Sequence, residues 1–215
     1  MNTYIASAEQ FLKEKFEQSE YFKEHLSEKA YRLEHSYRVA HIGKEIAEKE
    51  GLNIQNLIIG CLLHDISYCM NFKDKEDYIN HGRYSANIAR PFLTELEMAQ
   101  QEIDEICYGI AIHVDDKADF EGERTSLACS IGEADNIDRF DAYRIYETLQ
   151  WVKFDQMTLS DRKAHVEKVL SKLAKFKNEP FSTQYGKSLW VEKIEYQIGF
   201  YEKLRRQNNM SSLSI

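Results

Sequence analysis

The sequence predicts an all-α chain, and three observations carry that expectation. Only 9 glycines and 2 prolines punctuate 215 residues, too few for many short strands and turns. Apolar residues recur at three- and four-residue spacing through most of the chain. No segment shows the strict alternation of a half-buried strand. The length suits one domain with a substantial core, and we expect a single helical domain, with its core over about residues 27–145 and a helical extension over about 146–215.

The first helix is expected over residues 4–25, on the spacing of Tyr4, Ala8, Phe11, Leu12 and Phe16. His25, among Lys23, Glu24 and Glu28, reads as a surface histidine. A second helix is expected from about Ser27 to Glu50, stopped by Gly51 as a C-cap. His35 lies beside its apolar stripe, and Arg32 and Arg38, three residues either side, share its face. His41 points elsewhere on that helix and reads as surface. Asn53 to Asn56 offer the next N-cap, before the run Leu57 to Leu63 that ends abruptly in His64-Asp65.

Cys69 to Tyr78 is polar and aperiodic and is expected to be a loop near the site. Asn80 is expected to cap a helix with His81 in its first turn, ended or kinked by Pro91. Glu95 to Asp104 reads as solvated and acidic. The stripe Ile103, Ile106, Cys107, Ile110, Ala111 then predicts a buried helix closing in His113, before a charged loop holding Asp115, Asp116 and Asp119. That loop lacks the glycine and terminal glutamate of a calcium loop. A single helix is expected over Ser126 to Leu149, carrying Glu133, Asp135 and Asp138. Beyond Tyr143 the patterns remain helical, with a break near Pro180 and Ser182. No site residue is evident there, and His165 reads as surface.

An imidazole and a carboxylate at the end of an apolar helix are costly unless compensated. A salt bridge or hydrogen bond inside a helical core would do so. A divalent metal would do so as well, since imidazole and carboxylate oxygen suit first-row ions. The close carboxylates Glu133, Asp135 and Asp138 repel one another unless a cation lies between them, which also points to metal. The five segments bearing His35, His64-Asp65, His81, His113 and Asp135 thus form one candidate ligand set.

In that order and context the chain resembles the HD-domain superfamily of metal-dependent phosphohydrolases. The matching residues are His35 in Glu-His-Ser-Tyr-Arg-Val-Ala, His64-Asp65 in Leu-Leu-His-Asp-Ile, and Asp135 in Glu-Ala-Asp-Asn-Ile-Asp. His81 and His113 match the two extra histidines of members that hold a second metal. The resemblance implies an HD-domain helical bundle with a C-terminal helical extension. It also implies one or two divalent ions (Fe, Mn, Co or Zn, with Mg as a further option). With two ions, Asp65 would bridge, His35 and Asp135 completing one position and His81 and His113 the other. With one ion, the extra histidines would line a substrate pocket. The implied reaction is cleavage of a phosphoester or phosphoanhydride bond, with a nucleotide the expected substrate. Asp65, Asp138 and Arg38 are the expected catalytic residues, Asp138 orienting water or supporting a ligand histidine. Arg83, Lys117 and Arg124 are further candidate phosphate cations. The same ligand pattern occurs in HD-type di-iron oxygenases, and a non-catalytic nucleotide-binding module is the third reading.

A formal charge of -8 with no basic stripe argues against duplex nucleic acid as a partner. No apolar run approaches a membrane span. The N-terminus lacks a signal-peptide pattern and no Cys-x-x-Cys pair occurs, so a cytoplasmic protein with reduced thiols is expected. An apolar stripe after residue 145 would suit either a cap on the pocket or a homodimer interface.

Overall fold

The computed structural model describes residues 3–212, and every regular element among them is helical. The chain runs through α1 (Thr3–Gln18), α2 (Glu20–Glu24), α3 (Leu26–Glu50), α4 (Ile54–Leu63), α5 (Lys75–Glu95), α6 (Gln100–Ile112), α7 (Ser126–Arg139), α8 (Ala142–Trp151), α9 (Leu159–Phe176) and α10 (Gln184–Met210). Short 3-10 turns follow α4 at Ile66–Cys69 and α8 at Phe154–Gln156.

Two compact units divide the helices: Met1–Asp135 with Phe181–Gly186, and Asn136–Pro180 with Lys187–Ile215. In the first unit α4 is the central element. Its residues Leu57, Ile59, Cys61, Leu62 and Leu63 are all buried, which an apolar run of that length requires. It packs against α1, α3, α5 and α6. Asn53 caps its start by accepting from the Asn56 N–H at 3.1 Å, and Gly51, at φ 68°, ends α3 before it.

The short return Phe181–Gly186 is pinned to this unit by carboxylates. Ser182 donates its N–H and its hydroxyl to Glu133, and Tyr185 donates its N–H to Glu50. Glu133 is therefore engaged with Ser182, a correction to its reading as a metal-side carboxylate. Burial pushes its carboxyl above the usual range.

The second unit is built on edge-to-face aromatic contacts, Phe140 lying 4.8 Å from Trp190 and 5.5 Å from Phe176 between ring centres. The Trp190 indole N–H donates to the Phe176 carbonyl, and the Gln197 amide donates to that of Phe140. His165 belongs here. It is half-buried, its ring 5.9 Å from Phe154, so it is not the surface histidine that its charged neighbours predict.

Several boundaries differ from expectation, each for a local reason. The first helix breaks at Ser19, whose hydroxyl caps α2 through the Phe22 N–H and itself donates to the Cys69 carbonyl. Helix α5 begins at Lys75 rather than after Asn80, because the Asp74 carboxylate caps it through the N–H groups of Glu76 and Asp77. Its opening residues face water, so no apolar period announces them. His81 accordingly sits in the second turn. Helix α5 also runs four residues beyond Pro91, to Glu95. The segment after it is only partly solvated: Met98 is buried and α6 already begins at Gln100. The helix expected over 126–149 is two helices, α7 and α8, divided where Asp141 caps the second through the Ala142 N–H.

Candidate metal centre

Four helices and one helix-end doublet of the first unit aim their polar side chains at one point. His35 comes from the middle of α3, His64 and Asp65 from the end of α4, His81 from α5, His113 from the end of α6, and Asp135 from α7. The side chain of His64 is 0% exposed and that of Asp65 4%. So polar a cluster inside an apolar bundle needs an explanation in charge.

Asp65 is the hub, and its two oxygens face different neighbours. Oδ2 lies 3.6 Å from His64 Nε2, 3.7 Å from His35 Nε2 and 3.0 Å from the Arg32 guanidinium. Oδ1 lies 3.1 Å from His81 Nε2 and 3.6 Å from His113 Nε2. On the Oδ2 side, Asp135 Oδ1 closes the group at 3.1 Å from His35 Nε2 and 3.9 Å from His64 Nε2.

Three histidines share one local device. His64 Nδ1–H donates to the Cys61 carbonyl, His81 Nδ1–H to Tyr78 and His113 Nδ1–H to Ile110, at 2.7, 2.6 and 2.7 Å. These bonds assign the tautomer and leave each Nε2 lone pair directed at the centre. The result is unstable without a cation. His64 Nε2 is buried with no hydrogen-bond partner, and the Nε2 atoms of His81 and His113 lie only 3.0 Å apart. Two carboxylates, Asp65 and Asp135, face these rings, and the Arg32 guanidinium is bound to Asp65. Ligand atoms of His35, His64 and Asp135, and those of His64, Asp65 and His113, lie within 4.8 Å of one another. Nitrogen and oxygen donors so arranged fit divalent transition ions, and the residues present fit the group.

The charges set an order of titration. Burial would raise the Asp65 carboxyl, but His64, His113 and His81 when protonated, and the Arg32 guanidinium, hold it well below its usual range. Burial takes His64 down to about 4, overriding the pull of Asp65 and Asp135. Burial acts the same way on His113, but there the hydrogen bond and charge of Asp65 win and the ring is displaced upward. Ligation needs a neutral imidazole, so protons compete with any metal for these rings and affinity falls on acidification.

The other nominated residues lie as follows. Arg38 is half-buried on α3, one turn beyond His35, and Asp138 is buried one turn beyond Asp135 on α7. Arg83 is committed elsewhere: it donates to Asn80, to the Lys117 carbonyl, and to Asp115 at 2.7 Å, tying α5 to the loop after α6. Lys117 is exposed, and Arg124 pairs with Asp116 in an exposed contact at 2.6 Å. Arg83 is thus engaged by that loop, while Lys117 and Arg124 stand at the surface. The residue missed as a candidate is Arg32, whose guanidinium also lies 3.4 Å from the centre of the Tyr68 ring. Its place three residues before His35, on the same face, was the available signal.

A buried His/Asp centre at the core of an all-α unit defines a class of metal-binding helical domain. The family profile described as HD domain matches residues 32–139, half of the chain, and the chain belongs to the HD-domain family. Its fold is similar to that of a predicted HD superfamily hydrolase from an uncultured Thermotogales bacterium. That crystal structure aligns at 16% identity with a TM-score of 0.62, covering 93% of this chain and 90% of the other. No curated protein matches the chain. Among the described residues, no helix is long and apolar enough to cross a membrane.

Proposed function

We propose that the chain is a metal-dependent phosphohydrolase that cleaves a phosphoester or phosphoanhydride bond of a nucleotide. The observation that carries this reading is the division of Asp65, one carboxylate oxygen facing His35, His64 and Asp135 and the other facing His81 and His113. A bridging carboxylate between two ligand groups suits a pair of ions that share one substrate. When bound, such ions supply Lewis acidity toward a phosphoryl oxygen and acidify a water.

The chain's own residues supply the rest. The three Nδ1–H bonds to backbone carbonyls hold the imidazoles in register, and the surrounding apolar residues of α4 and α6 exclude bulk water. Arg32 balances Asp65. In this reading Asp138 orients the attacking water, and Arg38 contacts a non-bridging phosphoryl oxygen. Hydrolysis adds water across the P–O bond, hydroxyl to phosphorus and proton to the leaving oxygen. The transition state demands charge neutralisation more than covalent assistance, which this cluster is suited to give.

The decisive test is elemental analysis of protein purified without chelator, with a phosphate-release screen over nucleotides under Mn, Fe, Co and Mg. Two ions per chain are expected, with one ion and most activity lost in His81→Ala and in His113→Ala. One ion, unaffected by those changes, would reduce the centre to His35, His64, Asp65 and Asp135. Iron-dependent oxygen consumption without phosphate release would instead identify an oxygenase. A nucleotide held without turnover would identify a binding module.

A further inference from the structure

The side chains of the centre are unequally exposed. The side chains of His35, His64, Asp65 and His113 are each less than 5% exposed, whereas His81 reaches 13% and Arg32 20%. Among these side chains, the edge between His81 and Arg32 is the most accessible to water.

That edge is aromatic. The Tyr68 ring lies against both, 5.1 Å from the His81 ring and 3.4 Å from the Arg32 guanidinium carbon. Phe72 is 5.0 Å from Tyr68, and Tyr78 is 6.3 Å from Tyr68 and 5.2 Å from Phe72, set edge-on to it. Tyr68 is buried, Phe72 is half-buried and Tyr78 is 47% exposed, so the cluster runs outward from the centre to the surface. Tyr78 carries the row to the surface, where its ring is open to a partner. Arg32 adds a second sign of a ligand, because its Nε–H is buried with no hydrogen-bond partner.

Resting on the phosphohydrolase reading, we propose that Phe72 and Tyr78 form a stacking shelf for the aromatic base of the substrate. Arg32, held flat on Tyr68, receives the phosphate chain between the shelf and the metal centre. The site then selects phosphates that carry a planar ring a few ångströms from the scissile bond. Base stacking on an aromatic side chain tolerates any base, so the shelf selects nucleotides as a class.

The test measures binding of two hydrolysis-resistant probes to the metal-loaded full chain by calorimetry. One is the α,β-methylene analogue of ADP, which carries a base, and the other is methylenediphosphonate, which does not. Tyr78→Ala is expected to weaken the nucleotide analogue about tenfold and leave methylenediphosphonate unchanged, with Tyr78→Phe restoring the wild-type value. Phe72→Leu should act in the same direction. Equal loss for both probes, no loss for either, or failure of the wild type to bind the nucleotide analogue would overturn the shelf. Phosphate release from nucleotides with no dependence on Tyr78 would remove the shelf and keep the hydrolase. Tyr78-dependent binding of the analogue, with no turnover under any metal, would remove the hydrolase and keep the shelf.

Discussion

Asp65→Asn is expected to strip both metal positions while the helical bundle persists. The amide keeps the shape of the carboxylate and removes its charge, and both oxygens are in use, Oδ2 toward His35, His64 and Arg32 and Oδ1 toward His81 and His113. Loss of a group that merely supports a metal ligand costs about 10–100-fold in affinity or activity, so loss of a shared ligand should exceed about 100-fold at each position. Phosphate release should fall to background. Arg32 loses its partner but is one-fifth exposed, and can turn toward water rather than stay buried and unpaired. Elemental analysis, circular dichroism and the phosphate assay on one preparation would check all three. A variant that still holds two ions would show that Asp65 does not bridge.

The second large effect is expected from Gly82→Ala, one residue beyond His81. A Cβ built at Gly82 would lie 2.8 Å from the Ala111 carbonyl oxygen, 2.9 Å from that of Ile110 and 3.0 Å from His113 Nδ1. Two of those atoms are helix backbone and cannot swing aside, so α5 must move away from α6. Overpacking of this kind costs roughly 1–3 kcal/mol, against about 1 kcal/mol regained from the helix propensity of alanine. The functional cost should be larger than the net stability cost. The shift separates His81 from His113, whose Nε2 atoms are now 3.0 Å apart, and disturbs the Ile110 carbonyl that fixes the His113 ring. Thermal unfolding should show a modest drop, while metal analysis should show one ion lost and the other kept. Two ions at full affinity would mean that the helices separate without disturbing the ligands.

Much of this architecture was legible because the apolar periods of α3, α4 and α6 are strong and their ends carry ligands. His64 and His113 stand where a buried run stops, and that abruptness was the signal. What could not be read were elements whose order comes from single hydrogen bonds. Asp74 starts α5 on an exposed face, Ser19 splits the first helix, and Asp141 splits the helix expected over 126–149. Caps of this kind carry no periodicity. The cations were the weakest part of the reading, since a sequence shows a positive charge and not its partner. Arg83 looked available and is bound to Asp115, whereas Arg32, passed over as a phosphate cation, lies against Asp65. Glu133 illustrates the same limit, because its partner Ser182 lies 49 residues away.

The three Nδ1–H bonds have a wider consequence. Each runs from a histidine to the carbonyl three residues earlier in its own segment: His64 to Cys61, His81 to Tyr78, His113 to Ile110. The aim of each ring is thus encoded within one turn of chain and borrows nothing from a distant residue. The carbonyl is a backbone atom, so no side-chain replacement at Cys61, Tyr78 or Ile110 deletes the acceptor. Sequence can then drift through the rest of the bundle, as long as the helices keep their places, without these three imidazoles being re-aimed. A histidine centre written in such short-range grammar is portable: four-residue cassettes, grafted onto another set of converging helices, would arrive already oriented.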